Sequence, residues 1–484
     1  MERVLENIDY RNIFKYFEEI CNIPHGSGNN KKISDYLVRF AVDRGLEYYQ
    51  DEALNVIIYK PASEGMEDVP GVIIQGHMDM VCEKDSDSNH NFEEDPLELI
   101  IEDGWIKANK TTLGADDGIG VAYALAILDE KNMKHPAIEV LITTDEETGM
   151  DGAEALDGSK IKGKYLMNLD SEDEGVILSS CAGGLRTDCT MPVERQMYKG
   201  TTFNVGISGL KGGHSGTEIV NNGKNATIEL ARILYMCRKE ADFVLFDMNG
   251  GQKDNVIPNT ANARIVVADN EANKLEKLFR ECASQLKAEY RSCEPDVEYT
   301  LVKLKEDNQL ALTSCATDKV LRILQLVPNG VQVMSSLVDG LPESSLNLGI
   351  MKLTDDKLVT SHSVRSSVNE YKRYINEKLV MLYEQFGGNA VMRSEYPAWE
   401  YKEDSYLREV CMNVFKNMYG RNARIEAIHA GLECGILAGK IEGLDIVSFG
   451  PDMRDIHTSR ERLNIESTKR VYDYIKNIIE SIER

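Results

Sequence analysis

The sequence predicts an α/β protein in which a mixed sheet covered by helices is interrupted by an inserted α+β domain. Near both ends of the 484-residue chain, short apolar segments alternate with segments whose apolar residues recur at helical spacing. Strands too apolar for an exposed face belong to a sheet that is covered on both sides. From about Gly183 the order of helices and strands changes to one typical of an α+β domain.

The first part of the chain leads from two helices to its most distinctive strand. Helices are predicted at Tyr10–Cys21 and Lys31–Asp43, separated by the turn-like IPHGSGNN, and strands at Leu46–Tyr49 and Asn55–Tyr59. The stretch VIIQGHMDMV, Val72 to Val81, then reads as a strand that contains His77 and Asp79. Residues two apart on an extended chain point to the same side, so both side chains are expected at one site. Asp79 could steady a metal-binding His77, and a His-Asp pair without a metal is the alternative.

Acidic residues follow the later strands of this part. A hairpin is predicted around Asp103-Gly104 in LELIIEDGWIKA, and TTLGADDGIG turns into a helix from about Gly118. The strand in AIEVLITTDEETG stops at three consecutive acids, and the strand in KYLMNLDSEDEG ends at Asp170. Because ligands of such sheets gather at strand ends, we expect these acids to lie close together.

The inserted domain is predicted to consist of two α+β halves. Its elements are a strand in FNVGISG, a helix at Ala226–Arg238, strands in VLFDMN and NARIVVA, a helix at Asn273–Tyr290, a strand in VEYTLVKL, a helix at Asp318–Leu326, strands within Gln332–Ser367, a helix at Glu370–Phe386 and a strand from Asn389. From Ser405 the α/β alternation returns and ends in a helix from Ser467. The predicted division is residues 1–186 and 396–484 for the α/β domain and 187–395 for the insertion.

Composition argues against several classes of partner. The formal net charge of −25 disfavours nucleic acid and anionic membranes. No apolar run approaches the length of a membrane span, and the N-terminal segment lacks the pattern of a secretory signal. The ten cysteines are dispersed without a CxxC pair, which indicates reduced thiols. We therefore expect a cytoplasmic protein with neither nucleic acid nor membrane as partner.

Five segments end in side chains of the metal-binding type. They are His77 with Asp79, Asp116 with Asp117, Asp145 to Glu147, Asp170, and His457. Two histidines and several carboxylates without cysteine suit a hydrolytic site for zinc, manganese or cobalt. Two metal ions ~3.5–4 Å apart need a bridging carboxylate, and Asp116 stands at a glycine-framed turn that could present one. Single acid pairs are usually solvated loop residues, but five segments in this order indicate a metal site.

Several motifs give the chain a resemblance to a known family. GHMDMV, TTLGADDGIG, TTDEETGM, NLDSEDEG, LKGGHSG and HTSRE are similar to those of the co-catalytic di-metal exopeptidases, which include aminoacylases, glutamate carboxypeptidases and tripeptide aminopeptidases. GGQKDNVIPNTANAR, TSHSVRSS and AIHAGLECG resemble the aminoacyl-histidine dipeptidases in particular. The resemblance covers essentially the whole chain. It implies a zinc-exopeptidase-like catalytic domain interrupted by a lid and dimerisation domain, and hence a homodimer.

The resemblance also implies three groups of functional residues. The metal ligands would be His77 and Asp170 for one ion, Glu147 and His457 for the other, and Asp116 as the bridge. The catalytic residues would be Glu146 as general base, Asp79 as the orienter of His77, and His214 as an oxyanion donor from the partner subunit. Asn255 and Arg365 would hold a substrate carboxylate, and Gly431 would let a backbone group approach the substrate. Since adjacent residues of an extended chain point oppositely, Glu146 and Glu147 could take different roles.

The implied reaction is hydrolysis of unblocked dipeptides, favouring Xaa-His and the beta-alanyl-histidine type, by a hydroxide bridging two divalent ions. Zinc is the first expectation, with cobalt or manganese as alternatives. In the family, an aspartate at the place of Asp170 accompanies amino- and dipeptidases, and an aspartate at Asp117 puts no ligand in doubt. A broader di- or tripeptidase and an amidohydrolase of N-acyl amino acids are the alternatives within the hydrolases. A catalytically silent binding module is the alternative outside them, but such relatives typically lose the base or a ligand, and all six positions are filled here.

Overall fold

The computed structural model describes residues 3–8, 10 and 12–483, with the backbone alone at 305–307, and the chain divides into two units. The first unit comprises Met1–Ser180, Tyr401–Ala427 and Leu432–Arg484, and the second comprises Cys181–Glu400 and Ile428–Gly431. The sequence analysis placed Ile428–Gly431 in the last part of the α/β domain, whereas this short segment packs with the second unit. No helix in the described part of the chain combines the length and the apolar character that a membrane crossing requires.

The two units contain twelve α-helices and twenty-three strands among the described residues. The first unit opens with α1 (Ile13–Cys21), α2 (Lys31–Asp43), α3 (Ala115–Asp129), α4 (Glu146–Gly149) and α5 (Asp151–Ala155), and with β1 (Glu47–Gln50), β2 (Val56–Lys60), β3 (Val72–His77), β4 (Leu99–Glu102), β5 (Trp105–Ala108), β6 (Ile138–Thr143), β7 (Tyr165–Asn168) and β8 (Val176–Cys181). The second unit follows with β9 (Gly183–Pro192), β10 (Arg195–Ser208), β11 (Gly213–His214), β12 (Phe243–Gly250), β13 (Val256–Ile257), β14 (Ala261–Val267), β15 (Glu298–Leu312), β16 (Gly330–Met334), β17 (Pro342–Leu353), β18 (Lys357–Ser366) and β19 (Asn389–Tyr396), and with α6 (Ala226–Arg238), α7 (Ala272–Tyr290), α8 (Ser314–Leu326) and α9 (Asn369–Gln385). The chain ends with α10 (Tyr406–Tyr419), β20 (Arg424–Ile428), α11 (Glu433–Lys440), β21 (Asp445–Ser448), β22 (Met453–Arg454), β23 (Arg462–Asn464) and α12 (Ile465–Ser481). Short 3-10 helices lie at Glu6–Ile8, Gly158–Lys160 and Ile219–Asn221.

The main sheet of the first unit is mixed and has the strand order β1-β2-β6-β3-β7-β21-β8-β20. Strands β6, β3, β7 and β21 run parallel to one another, and every residue in them is buried. On this core α3 packs against β3 and α1, and α10 packs against β21 and α12. Because parallel strands end at the same edge of a sheet, the segments that follow them meet there.

A second, smaller sheet of the first unit joins two distant parts of the chain. Its order is β22-β23-β5-β4. The predicted hairpin is confirmed, with Asp103 and Gly104 at φ 50° and 81° in the turn between β4 and β5. Two successive positive φ angles are what a two-residue hairpin turn requires. The pairing of β23 with β5 holds the loop between β22 and β23, which contains His457.

The second unit is built on one nine-stranded antiparallel sheet. Its strand order is β15-β10-β14-β12-β17-β18-β9-β19, with β16 paired to β17. The two predicted halves meet where β12 pairs with β17 through Asn249↔Lys352 and Gly250↔Met351. Helix α6 packs against β10, β12 and β14, and α9 packs against β9 and β18. A two-stranded ladder of β11 and β13 places His214 opposite Val256.

The structure corrects the sequence analysis at several element ends. The predicted strand Val72–Val81 ends at His77: Met78 N–H still donates to Thr143 O at 2.9 Å, but Met80 N–H donates to His25 O at 3.2 Å instead of to a strand of the sheet. Helix α1 begins at Ile13, and Arg11 of the predicted helix lies outside the described residues. Strand β9 and the first residues of β10 were not predicted.

Candidate active site

His77 lies buried at the carboxyl edge of the main sheet, as the last residue of β3. Its Nδ1 is 3.0 Å from the backbone oxygen of Asp79 and 3.4 Å from that residue's Oδ1. If Nδ1 carries the proton, it can donate to these oxygens, and the lone pair of Nε2 is then available to a metal ion. That nitrogen lies 3.1 Å from Asp116 Oδ1 and 3.7 Å from Asp170 Oδ1. The ring is therefore oriented as a metal-binding histidine needs, with Nδ1 toward Asp79 and Nε2 toward Asp116 and Asp170.

The carboxylate of Asp116 faces two different histidines. Its Oδ1 is 3.1 Å from His77 Nε2, and its Oδ2 is 3.1 Å from His457 Nε2. The same His457 nitrogen is 3.0 Å from Glu147 Oε1. Asp116 is in the first turn of α3, where its φ of −83° and ψ of 104° depart from the helix. A carboxylate with one oxygen toward each of two ligand groups can bridge two metal ions.

The potential metal ligands form groups of three in which the ligand atoms lie within 4.8 Å of one another. The groups are His77, Asp116 and Asp170; Asp116, Glu147 and His457; and His77, Glu146 and Glu147. Zinc–ligand bonds of about 2.0–2.2 Å place two ligand atoms of one ion at most about 4.4 Å apart, so each group is close to the size of one coordination sphere. The first two groups share Asp116, and all five of their members were predicted from the sequence.

The pKa values of the two histidines show that this site favours positive charge. Burial lowers the pKa of His77, but hydrogen bonds with Asp116 and Asp170 raise it well above its ordinary value. Hydrogen bonds with Asp116 and Glu147 raise the pKa of His457 to about 11. Carboxylates that hold protons on two imidazoles can hold cations there instead, with release of those protons. Both the donor types and their charge therefore fit two divalent ions.

Asp79 ties His77 to the segment that contains the two glutamates. Its carboxylate is 1% exposed and accepts a hydrogen bond from Ser27 Oγ at 2.8 Å. The same carboxylate accepts the backbone N–H of Glu146 at 3.1 Å and that of Glu147 at 3.4 Å. Asp79 thus contacts His77, as the predicted role requires, and also fixes the start of α4. Sequence reasoning missed Ser27, although its place in the glycine-flanked turn HGSGN was a signal.

Glu146 and Glu147 begin a helix and do not continue the strand. Residues of a helix are rotated by about 100° from one to the next, so the alternation expected for an extended chain does not apply, and a carboxylate oxygen of each glutamate lies within 4.8 Å of the other and of a His77 ring nitrogen. Glu147 contacts His457. Burial raises the pKa of Glu146 well above its ordinary value, and Asp170 adds to that shift. A carboxyl group with a raised pKa is suited to proton transfer near neutral pH.

A buried polar network at the same sheet edge was missed by the sequence analysis. Glu433, 1% exposed, accepts hydrogen bonds from Gln75 Nε2 at 2.6 Å and Thr143 Oγ1 at 2.7 Å. Gln75 in turn accepts one from Asn168 Nδ2 at 2.6 Å. These contacts connect the carboxyl-terminal parts of β3, β6 and β7. A polar residue near the end of each apolar strand was the available signal.

Asp117 stands outside the three ligand groups. It is fully buried, and its Oδ1 accepts the backbone N–H of Gly120 at 3.1 Å. A Cβ atom at Gly76 would stand 2.0 Å from Asp117 Oδ2, so the glycine of the QGH sequence leaves room for this carboxylate.

His214 lies in the second unit, in a loop whose two ends are held by one buried glutamate. The carboxylate of Glu294 accepts the backbone N–H groups of Lys211 and Lys224, both at 2.9 Å. Burial lowers the pKa of His214, so its ring is neutral at pH 7. Nδ1 accepts the N–H of Gly216 at 3.3 Å, which leaves the proton on Nε2. His214 can therefore donate a hydrogen bond from Nε2.

Arg365, Asn255 and Gly431 also lie in the second unit. Arg365 is 9% exposed, and its Nη1 donates to the hydroxyl of Tyr396 at 3.1 Å. The backbone oxygen of Asn255 accepts from Ser215 N–H at 2.9 Å, next to His214. A Cβ atom at Gly431 would stand 2.7 Å from Tyr396 Cε2, so the missing side chain makes room for the ring that contacts Arg365. This packing of Gly431 against Tyr396 was not predicted from the sequence.

Comparisons with known proteins find a family, a sequence relative and two solved structures that match most or all of the chain. The model of peptidase family M20/M25/M40 matches residues 73–481. The chain is 35% identical over 480 residues to the cytosol non-specific dipeptidase of Escherichia coli (strain K12), covering 99% of both proteins. The crystal structure of aminoacylhistidine dipeptidase from Vibrio alginolyticus matches with a TM-score of 0.93 at 34% identity, covering 98% of this chain and 99% of that one. Aminopeptidase PepT from Bacillus cereus ATCC 10987 shares the fold, with a TM-score of 0.58 at 18% identity over 99% of this chain and 100% of that one. The chain belongs to peptidase family M20/M25/M40.

Proposed function

We propose that this protein is a dipeptidase that hydrolyses the peptide bond of unblocked dipeptides with two divalent metal ions per chain. The observation that carries the proposal is the Asp116 carboxylate, one oxygen of which faces His77 and the other His457. Support also comes from two relatives that match 99% and 98% of the chain and are both named dipeptidases. Zinc is the proposed metal, with cobalt or manganese as alternatives, because imidazole and carboxylate ligands suit all three.

In the proposed reaction, Glu146 moves the protons. Two divalent ions, when bound, would acidify a water molecule and polarise the scissile carbonyl group. Glu146 takes a proton from the attacking water and gives it to the leaving amine, so its charge is restored at the end of the cycle. Asp79 holds the backbone N–H groups of Glu146 and Glu147 and thereby keeps the base in place. The Nε2–H group of His214 would donate to the oxygen that becomes negative during the attack.

The proposal assigns His214 to the partner subunit of a homodimer that forms through the second unit. The support is the resemblance of LKGGHSG to the family motif, together with a neutral ring that can donate. Mixing inactive His214→Ala with inactive Glu146→Ala tests it. Hybrid dimers then contain one site with both functional residues, and part of the activity should return. An absence of recovery after verified subunit exchange would rule out the assignment across subunits.

A cytoplasmic location stays a prediction.

We propose that Arg365 and Asn255 hold the free carboxylate of the dipeptide. Arg365 presents a planar guanidinium suited to a two-pronged contact with a carboxylate. Its Nε has no hydrogen-bond partner among the described residues. Preference for Xaa-His, including beta-alanyl-histidine, is the finer proposal. The two relatives differ on this point, since one is named a non-specific dipeptidase and the other an aminoacylhistidine dipeptidase.

A substrate panel with each candidate metal tests the proposed function. Free Xaa-His and other dipeptides should be cleaved, whereas their C-terminal amides and N-acetylated forms should be poor substrates. Ready cleavage of N-acetyl amino acids would move the protein to the amidohydrolases. Comparable rates on tripeptides would make it a broader peptidase. Binding without turnover under every metal would indicate a catalytically silent module.

A further inference from the structure

Glu461 contacts the segment that contains the proposed bridging ligand. Its side chain is 2% exposed, and both carboxylate oxygens accept backbone N–H groups from the start of α3. Oε2 accepts from Leu113 at 2.6 Å and Gly114 at 3.0 Å, and Oε1 accepts from Ala115 at 2.8 Å and Asp116 at 3.4 Å. N–H groups at a helix start have no partner within the helix. Glu461 therefore accepts the N–H groups of residues 113–116 at once, including that of the N-cap Gly114 and that of Asp116 itself.

The same glutamate belongs to the loop that contains His457. Glu461 N–H donates to Thr458 O at 3.1 Å, so the loop is closed on itself between the histidine and the glutamate. Asp455 and His457 both have positive φ angles, 56° and 58°. Such angles are uncommon for residues other than glycine and persist where surrounding contacts fix the backbone. Glu461 is thus a direct connection between the backbone of one proposed ligand and the loop of another.

We infer that Glu461 is a positioning residue that sets the place of Asp116 relative to His457. The distance that depends on it is the 3.1 Å between Asp116 Oδ2 and His457 Nε2. If the four N–H groups lose their shared acceptor, the start of α3 is free to shift against the loop of His457. Loss of contacts that orient metal ligands typically costs about 10–100-fold in metal affinity. This inference rests on the proposed two-metal site.

A purely structural helix cap would explain the same contacts, and Glu139 offers a matched control for it. Glu139 is 6% exposed in the first unit and accepts the N–H of Lys162 at 3.0 Å and of Gly163 at 2.9 Å. It lies near the amino end of β6, whereas the proposed ligands follow the carboxyl end. Glu139→Gln and Glu461→Gln each replace a buried acceptor of backbone N–H groups by an amide that can accept with one oxygen only.

The test is the binding of Co²⁺ to chelator-stripped wild type, Glu461→Gln and Glu139→Gln. Calorimetry gives the number and affinity of bound ions, the visible absorption of bound Co²⁺ reports the coordination of the ion, and urea unfolding gives stability. We expect Glu461→Gln to bind at least one ion about 10-fold or more weakly and to change the Co²⁺ spectrum. Glu139→Gln should lose stability but keep the affinities and the spectrum of the wild type.

Three results with folded variants would each overturn the inference. They are wild-type affinities and spectrum in Glu461→Gln, the same spectral change in both variants, or a folded Glu461→Asp that binds both ions as the wild type does. Glu461→Asp keeps the charge and both acceptor oxygens but is one methylene shorter. If Glu461→Gln does not fold, this variant tests whether the reach of the side chain sets the place of Asp116. Failure of both Glu461 variants to fold would assign the residue to folding and would also refute it. A wild type that binds fewer than two ions would instead refute the proposed function.

Discussion

Replacing Gly431 by alanine should disturb the proposed carboxylate-binding group through Tyr396. The new Cβ would stand 2.7 Å from Tyr396 Cε2 and 3.1 Å from its hydroxyl oxygen. The ring has little room to move, because Gly184 approaches its other edge so closely that a Cβ there would lie 2.3 Å from Cε1. Forcing an atom into such a packed place costs about 1–3 kcal/mol of unfolding free energy. Since the hydroxyl of Tyr396 accepts from Arg365, the KM for free dipeptides should also rise, by about tenfold if one hydrogen bond to a charged group is weakened.

The stability change can be followed in the second unit by fluorescence. Trp399 is buried there, and Trp105→Phe makes it the only tryptophan of the chain. Gly223→Ala is the matched control, because a Cβ at that position meets nothing closer than 3.6 Å. In a Tyr396→Leu background Gly431→Ala should lower the unfolding free energy by less, since the ring that the new Cβ would overlap is absent. A cost below about 0.5 kcal/mol together with an unchanged KM would refute the reasoning.

Three further predictions concern Glu146, Arg365 and His362. Glu146→Gln should lower kcat by about 10²–10⁴ with the metal content unchanged, and near-normal turnover would exclude it as the base. Arg365→Lys keeps the charge but loses the planar fork, so the KM of free dipeptides should rise while that of dipeptide amides stays; an equal change for both would contradict the carboxylate contact. Burial lowers the pKa of His362 to about 3, and because this lies below the unfolded value of ~6.5, its contribution to stability is complete above that pH and is lost as the pH falls toward 3. The gap in urea-unfolding free energy between wild type and His362→Gln should therefore shrink by about 2 kcal/mol between pH 7.5 and pH 5, and a constant gap would show that this histidine does not couple to folding.

Local patterns in the sequence predicted helices and the gathering of strand ends at one edge of the sheet. Helix α6 was predicted with the bounds that it has, because its helical periodicity is local. The candidate ligands His77, Glu147 and Asp170 could be predicted because they lie at or just after the ends of β3, β6 and β7, which are buried throughout and parallel, so their carboxyl ends meet. Strand β9 was not predicted, although its outward residues alternate with buried ones, since a weak alternation without turn signals does not stand out.

The features of the site that could not be predicted from the sequence depend on contacts between residues far apart in the chain. Glu433 bonds to Gln75 across 358 positions, and Glu461 bonds to Leu113 across 348. Neither pairing has a periodic or local signature, so each acid looked like one more polar loop residue. The requirement for glycine at position 431 could not be predicted either, because it arises from the Tyr396 ring, which only the folded chain brings beside it. The end of β3 at His77 likewise depends on backbone bonds to a segment about fifty residues earlier.

The number of divalent ions bound per chain tests the central claim most directly. Chelator-stripped wild type, titrated with Zn²⁺ or Co²⁺ and then measured by elemental analysis, should hold two ions. Asp116→Ala should hold at most one tightly, because both ligand groups lose the carboxylate that they share. A fully active wild type with a single ion, or an Asp116→Ala variant that binds two ions with unchanged affinity, would contradict the two-metal site.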